Sequence, residues 1–227
     1  MGSVWRVMAE AKVRAGCDPD RVVWVSAVAV ARLKWCQWAA VVEARENEER
    51  VFRTWLLDRA RLAVAGGVVR AVPAGLEEQV DLAFSELPGG EVLGGDGALG
   101  LALLPGGVSG GGPRRWARVG RFFVAAEPDG IEDGTVVERE DPLAYPARYV
   151  WPVAQLHADL CGVVFGVSNK LVRVGDEEVA EPVNTGAAEV AVELFRRLEW
   201  GEVRPVPPRP WKCRVCGVWE DCVLVAG

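Results

Sequence analysis

The sequence holds no apolar run near the ~18 residues that a membrane-spanning helix needs. Its longest candidate, WVSAVAVARLKW from Trp24, is broken by Arg32 and Lys34. The N-terminal residues show no basic segment followed by an apolar one, so no secretory leader is expected. These absences predict a soluble cytoplasmic protein with no membrane partner. Lysine is scarce, standing only at positions 12, 34, 170 and 212, and His157 is the sole histidine. The net charge of -6 excludes a basic coat over the whole surface. A local basic groove remains compatible with it, because nucleic-acid binding depends on where charge sits. The glycine-crowded stretch PGGEVLGGDGALGLALLPGGVSGGG, 88–112, is not followed by Lys-Ser or Lys-Thr at phosphate-loop spacing. A nucleotide cradle is therefore excluded, and a mobile loop or an irregular strand pair is expected. No internal repeat is evident.

What is present suits one domain over residues 1–227, half of them hydrophobic and able to bury a sizeable core. Six cysteines in an intracellular chain are not expected to form a disulfide framework. Cys213, Cys216 and Cys222 form C-x2-C-x5-C, a spacing for metal or cluster ligation that is one ligand short of a closed tetrahedral site. Cys161, in the apolar run LCGVVFGV, reads as a small core residue.

Residues 4–16 read as a short helix ending near Gly16. Ser26 can cap a helix through AVAVARLKWCQWAAVVEARENEERVFRTWLLDRARLAVA, with a break expected at 46–49 because the run is long. Cys36 falls in its first part, flanked by Trp35 and Trp38, whose rings could pack in the core or shield a buried group. A short strand is expected at 68–72 and a helix at 74–87. VGRFFVAAEPDGI and TVVERE read as strands, and PARYVWPVAQLHADLCGVVFGV as a helix running into a strand. SNK then makes a turn, LVRVG a strand, and TGAAEVAVELFRRLEWG an amphipathic helix closed by Gly201. VRPVPPRP is a stiff connector to the cysteine tail.

Asp133-Gly134 between apolar runs is a hairpin signal. A two-residue turn there sets Glu132 against Thr135, Ile131 against Val136, Gly130 against Val137 and Asp129 against Glu138. Asp129 and Glu138 then share one face, with Glu140 two residues along. Opposed like charges cost stability, and Mg²⁺ or Mn²⁺, which take oxygen ligands, would offset that cost. A solvated acidic hairpin face is the other reading.

With these residues in view, PDGIEDGTVVERE resembles the signature of the PD-(D/E)xK nucleases, with Pro128-Asp129 first and Glu138 as the second acid. Cys36 upstream and the C-terminal cysteines resemble the RecB-like branch that carries an iron–sulfur cluster, notably the CRISPR-associated exonucleases of spacer acquisition. The likeness covers nearly the whole chain. It implies an α/β, restriction-endonuclease-like core, a mixed central sheet flanked by helices. It further implies an N-terminal helical part (1–66), a nuclease core (67–203) and a cysteine tail (204–227) closed as an iron–sulfur staple. It implies a [4Fe–4S] cluster on Cys36, Cys213, Cys216 and Cys222, with Zn²⁺ in a four-cysteine site as the competing occupant. It also implies Mg²⁺ or Mn²⁺ on Asp129 and Glu138, with Glu77 or Glu78 completing the set, and catalytic Asp129, Glu138, Glu140 and Gln155. The implied activity is exonucleolytic cleavage of single-stranded DNA ends, and the implied partners are DNA and CRISPR integrase proteins.

Two positions depart from that pattern. Glu140 stands where the family has lysine, and no histidine occupies the upstream metal-binding place. His157 lies instead in the region of the Q-x-x-x-Y motif, where Gln155 matches and Asp159 replaces the tyrosine, and as a lone helical residue it is expected at or near the surface. Arg114, Arg115 and Arg118 are candidate DNA contacts, with solvated loop charges as the plainer alternative, and Lys170 is a possible source of positive charge. The alternative function is a catalytically degenerate DNA-binding or assembly subunit of the same complex.

Overall fold

The computed structural model describes residues 8–13, 16–65, 114–141 and 146–216, with backbone alone at 59–65. After a helical stretch at 8–13, strand β1 (Trp24–Ser26) runs directly into helix α1 (Ala27–Ala31). Ser26 caps α1, its Oγ accepting from the Ala29 amide at 3.1 Å, as the sequence predicts. A tight 3-10 turn, Arg32–Lys34, then interrupts the helix, and α2 spans Gln37–Ala65. The break expected at 46–49 is absent and falls instead at Trp35 and Cys36, whose amides both donate to the Arg32 carbonyl, at 2.8 and 2.9 Å. The acidic run stays helical because its charges are matched. Glu49 pairs with Arg53 one turn on, and Glu48 pairs with the buried Lys12 at 2.7 Å.

Two mixed sheets follow, flanked by helices, which places the chain in the α/β class. β2 (Arg115–Val119) and β3 (Phe122–Ala126) form a hairpin, and β1 adds parallel to β3, giving the order β1-β3-β2. The second sheet comprises β4 (Gly130–Glu132), β5 (Thr135–Glu140), β6 (Asn169–Val174) and β7 (Glu177–Pro182), in that spatial order. β5 and β6 are parallel, so their connection is a crossover, made by helix α3 (Ala147–Phe165). Helix α4 (Thr185–Glu199) and the single-turn α5 (Pro210–Cys213) complete the described chain.

Several sequence expectations need correcting. The run from Val119 to Ile131 is not one strand: it takes in the last residue of β2, all of β3 and, in the other sheet, the start of β4. LCGVVFGV contains no strand; it stays helical to Phe165 and ends at Gly166, whose φ of 67° closes the helix. The run is apolar on every side because α3 is packed between the second sheet and α4, and a short apolar run does not distinguish helix from strand. Lys170 lies inside β6 and not in a turn. β7, EEVAEP, was not anticipated; its charged sequence suits an edge strand. The strand expected at 68–72, the helix at 74–87 and the loop or strand pair at 88–112 lie outside the described residues.

The main core joins Val136, Val172 and Val174 of the second sheet to Leu156, Leu160 and Val164 of α3 and Phe195 and Leu198 of α4. A second cluster gathers Trp24, Phe52, Trp55 and Trp116 over the first sheet. α3 sits so close to the residue after β7 that a Cβ on Gly162 would come within 2.4 Å of Val183 Cγ2. These packings hold α3 over the face of β5 that carries the acids.

Candidate functional site: an acidic hairpin under a buried histidine

The β4–β5 register is Gly130 with Val137, Ile131 with Val136 and Glu132 with Thr135. These are three of the four pairings expected from a two-residue turn; the fourth, Asp129 against Glu138, lies beyond the ladder. Asp133 and Gly134 both have positive φ, 48° and 74°, the geometry whose twist matches the flanking strands. Asp129 lies just before β4, and its Oδ2 accepts from the Arg139 amide at 2.5 Å. That bond holds Asp129 beside Glu138 and Glu140, which share a strand face two residues apart. Arg139 projects from the other face and pairs with Glu132 at 2.8 Å.

Glu138 is 5% exposed, and above it on α3 is His157, also 5% exposed. His157 Nδ1 is 2.6 Å from Glu138 Oε1, and its Nε2 is 3.6 Å from Cys161 Sγ. The expectation of a surface histidine is therefore corrected: His157 is the roof of the acidic site. The sequence did carry a signal. Ala154, Leu160, Cys161 and Val164 stand one or two turns from position 157, which puts the histidine on the apolar stripe of its helix. Cys161 is the buried residue expected, and it also touches the histidine.

The charges in this corner are not balanced. Glu138 Oε2 is buried with no hydrogen-bond partner, a condition that ordinarily costs more than a hydrogen bond is worth. Burial alone would lower the pKa of His157, but Cys161 and Glu138 at its two ring nitrogens raise it well above the ordinary value. Glu140, exposed at the end of β5, has its pKa raised by partial desolvation and then by the charges of Glu138 and Asp129, while His157 and Arg32 act in the opposite direction. The three acids thus feel one another, as the hairpin geometry implies.

A second polar group lies on the same sheet face. Lys170 on β6 is paired with Val136 on β5, two residues from Glu138. Its Nζ is 2.6 Å from Asp159 Oδ1 and 3.0 Å from Glu181 Oε1, and Asp159 Oδ1 also accepts from the Asn184 amide at 2.7 Å. Gln155 donates to Glu181 Oε1 at 3.4 Å. These groups line a cavity of about 250 Å³, with Lys34 and Pro152. Gln155 is thereby placed with the Lys170 cluster, and Lys170 is committed to two carboxylates. Of the arginines expected to meet DNA, Arg114 pairs with Glu127 and Asp58, Arg115 lies over the Phe165 ring and Arg118 donates to the Gly120 carbonyl.

Cys36 is buried, and its carbonyl accepts from the Ala40 amide in the first turn of α2. The C-terminal segment returns to this point. Lys212 Nζ donates to the carbonyl of Trp35, the neighbour of Cys36, at 2.8 Å. Cys213 follows Lys212 directly, and Cys216 donates its amide to the Cys213 carbonyl at 3.3 Å. The turn carrying Cys36 and the tail carrying Cys213 and Cys216 are therefore brought to one corner of the protein. Cys222, Glu77 and Glu78 lie outside the described residues. Among the described residues, no group of three or more His, Cys, Asp or Glu side chains is arranged to hold a metal ion. No described helix is long and apolar enough to cross a membrane.

Comparison with protein-family models, with curated proteins and with solved structures gives no match.

Proposed function

We propose that the protein is a metal-dependent deoxyribonuclease built on a restriction-endonuclease-like core, acting on single-stranded DNA ends within CRISPR spacer acquisition. One observation carries this reading beyond the resemblance. The hairpin brings Asp129, Glu138 and Glu140 together and leaves Glu138 Oε2 buried without a partner. An orphaned carboxylate oxygen among like charges fits a divalent cation, and the donor set is the all-oxygen kind that Mg²⁺ and Mn²⁺ take. Asp129 and Glu138 would hold the ion, with Glu77 or Glu78 as further ligands. The ion would supply Lewis-acid activation of water and charge relief at the phosphate. His157 fixes the orientation of Glu138 through Oε1, in the manner of partners that hold metal ligands in place. Glu140, in place of lysine, serves as a base or further ligand and cannot stabilise negative charge.

The cysteine corner suits a thiolate-held group by the type of its donors and by the docking of the tail beside the Cys36 turn. Cys36, Cys213 and Cys216, with Cys222, would hold the [4Fe–4S] cluster or a Zn²⁺ ion.

A second reading, a non-catalytic DNA-binding or assembly subunit working with integrase proteins, is favoured by the engagement of Lys170 with Asp159 and Glu181. That lysine is not available to take over the missing role at position 140. A nuclease assay on single-stranded DNA with Mn²⁺ or Mg²⁺ decides between them. Nucleotide release by wild type that is lost in Asp129→Ala supports the enzyme. No release by wild type, together with release by Glu140→Lys, supports the binding subunit.

A further inference from the structure

The docking of the tail beside Cys36 is made by side chains that are not cysteines. Lys212 Nζ, besides its bond to the Trp35 carbonyl, lies 4.7 Å from the centre of the Trp35 ring and 5.8 Å from that of Tyr149 on α3. Trp211 meets both rings, edge-on to Trp35 at 5.5 Å and tilted against Tyr149 at 4.7 Å. Further up the connector, the Val206 amide donates to Gln37 Oε1 at 2.8 Å. Three segments far apart in sequence are thus clamped together: the turn before α2, the first turn of α3 and the tail.

The chemistry of this clamp is complete without a thiolate. An ammonium over two aromatic faces gains electrostatic attraction, more so when partly shielded from water. One of its three N–H groups goes to a backbone carbonyl at the interruption between the 3-10 turn and α2, where helical bonding leaves carbonyls to be satisfied. The carbonyl it takes belongs to Trp35, the chain neighbour of Cys36. Lys212 is therefore beside the first cysteine and covalently next to the second.

We propose that Lys212, seated on Trp35 and Tyr149, is the positioning residue that docks the tail and brings Cys213 to Cys36 before any metal or cluster binds. This rests on the reading of the cysteines as one ligand set. On that reading the bound group is received by a corner already assembled, so it does not itself staple a loose tail. The loop-closure entropy of joining distant chain segments is then offset largely by the clamp, and the thiolates bind with less ordering left to do.

The test uses the full chain, stripped of metal with a chelator under reducing conditions. It compares wild type, Lys212→Met, Lys212→Arg, Trp211→Ala and Cys213→Ser by limited proteolysis of the connector at 201–210, and by titration with Co²⁺, whose thiolate complexes absorb in the visible and near ultraviolet. The proposal expects metal-free wild type and Cys213→Ser to resist cleavage alike, and Lys212→Met and Trp211→Ala to be cleaved about tenfold faster. Lys212→Met should bind Co²⁺ about tenfold more weakly, the size of effect seen when partners of metal ligands are removed. Lys212→Arg, which keeps charge, ring contact and donor, should restore both readouts. Cleavage of metal-free wild type as fast as Lys212→Met overturns the proposal, as does protection lost in Cys213→Ser but retained in Lys212→Met. If wild type takes up no Co²⁺ yet the protection pattern holds, the ligand-set reading fails while tail docking by Lys212 stands. A cooperative thermal transition in each variant shows that the comparison is between folded proteins.

Discussion

Two clusters of buried charge lie under helix α3 on one face of one sheet, and they are built differently. In the first, Lys170 is matched by Asp159 and Glu181, and Asp159 also takes an amide, so each charge has a partner. In the second, Glu138 gives one oxygen to His157 and leaves the other unpaired beside two more acids. The same helix supplies both roofs, Asp159 for one and His157 for the other. A chain able to satisfy a buried charge in the first place has left one unsatisfied in the second. Buried polar groups that lack partners stand out against the normal pattern, and the imbalance here has the sign and donor type that a cation would correct. The Lys170 cluster ties β6 and β7 to α3, and the acidic hairpin is the site proposed to take a cation.

The comparison can be broken most forcefully at Lys170. Lys170→Met leaves Asp159 buried without its cation and should cost about 3–5 kcal/mol of unfolding free energy, measured by denaturant titration. A loss below 1 kcal/mol would mean that this cluster is not structural. At the other cluster, Asp129→Ala should lower Mn²⁺-dependent release of nucleotides from single-stranded DNA by at least about a hundredfold, with little change in the denaturation midpoint. Equal losses of stability at both sites would erase the distinction. Gly162→Ala tests the packing that holds α3 over both clusters. The contact at 2.4 Å with Val183 should cost about 1–3 kcal/mol, read from the thermal midpoint, and should weaken both clusters together.

The smallest effect sharpens the comparison through pH. Glu140 has a folded-state pKa raised above its ordinary 4.5. Its contribution to stability is fully present below that ordinary value and is lost as pH rises through the folded-state pKa. In metal-free protein, stability should therefore fall over that interval, and Glu140→Gln should remove the fall. Added Mn²⁺ should flatten it by supplying the missing positive charge. The same slope in Glu140→Gln would place its source elsewhere.

The legibility of these features in the sequence followed the range of the interactions behind them. The hairpin could be read because an Asp-Gly turn fixes register over a few residues, and register decides which acids meet. The Ser26 cap and the closing glycine at 201 are equally local, whereas Gly166 was not read as a helix end, because its apolar run was expected to give way to a strand. The break at Cys36 was misplaced because it depends on a carbonyl shared by two amides and on distant partners, Lys12 above all, that let the acidic run stay helical. His157 was misjudged because a lone polar residue on an apolar stripe is read as a surface residue unless its partner is known, and its partner, Glu138, is nineteen positions upstream on a strand. The ion pairs of Lys170 span β6, β7 and α3, and nothing in local spacing announces them.

The central claim is that the acidic hairpin holds a divalent cation through Glu138. Calorimetric titration of the full chain with Mn²⁺ tests it most directly, comparing wild type, Glu138→Ala and Lys34→Ala, the last a lining residue of the neighbouring cavity. The account predicts saturable binding by wild type and Lys34→Ala, and binding weakened at least about tenfold in Glu138→Ala. Absence of binding in wild type, or equal binding by Glu138→Ala, would contradict it.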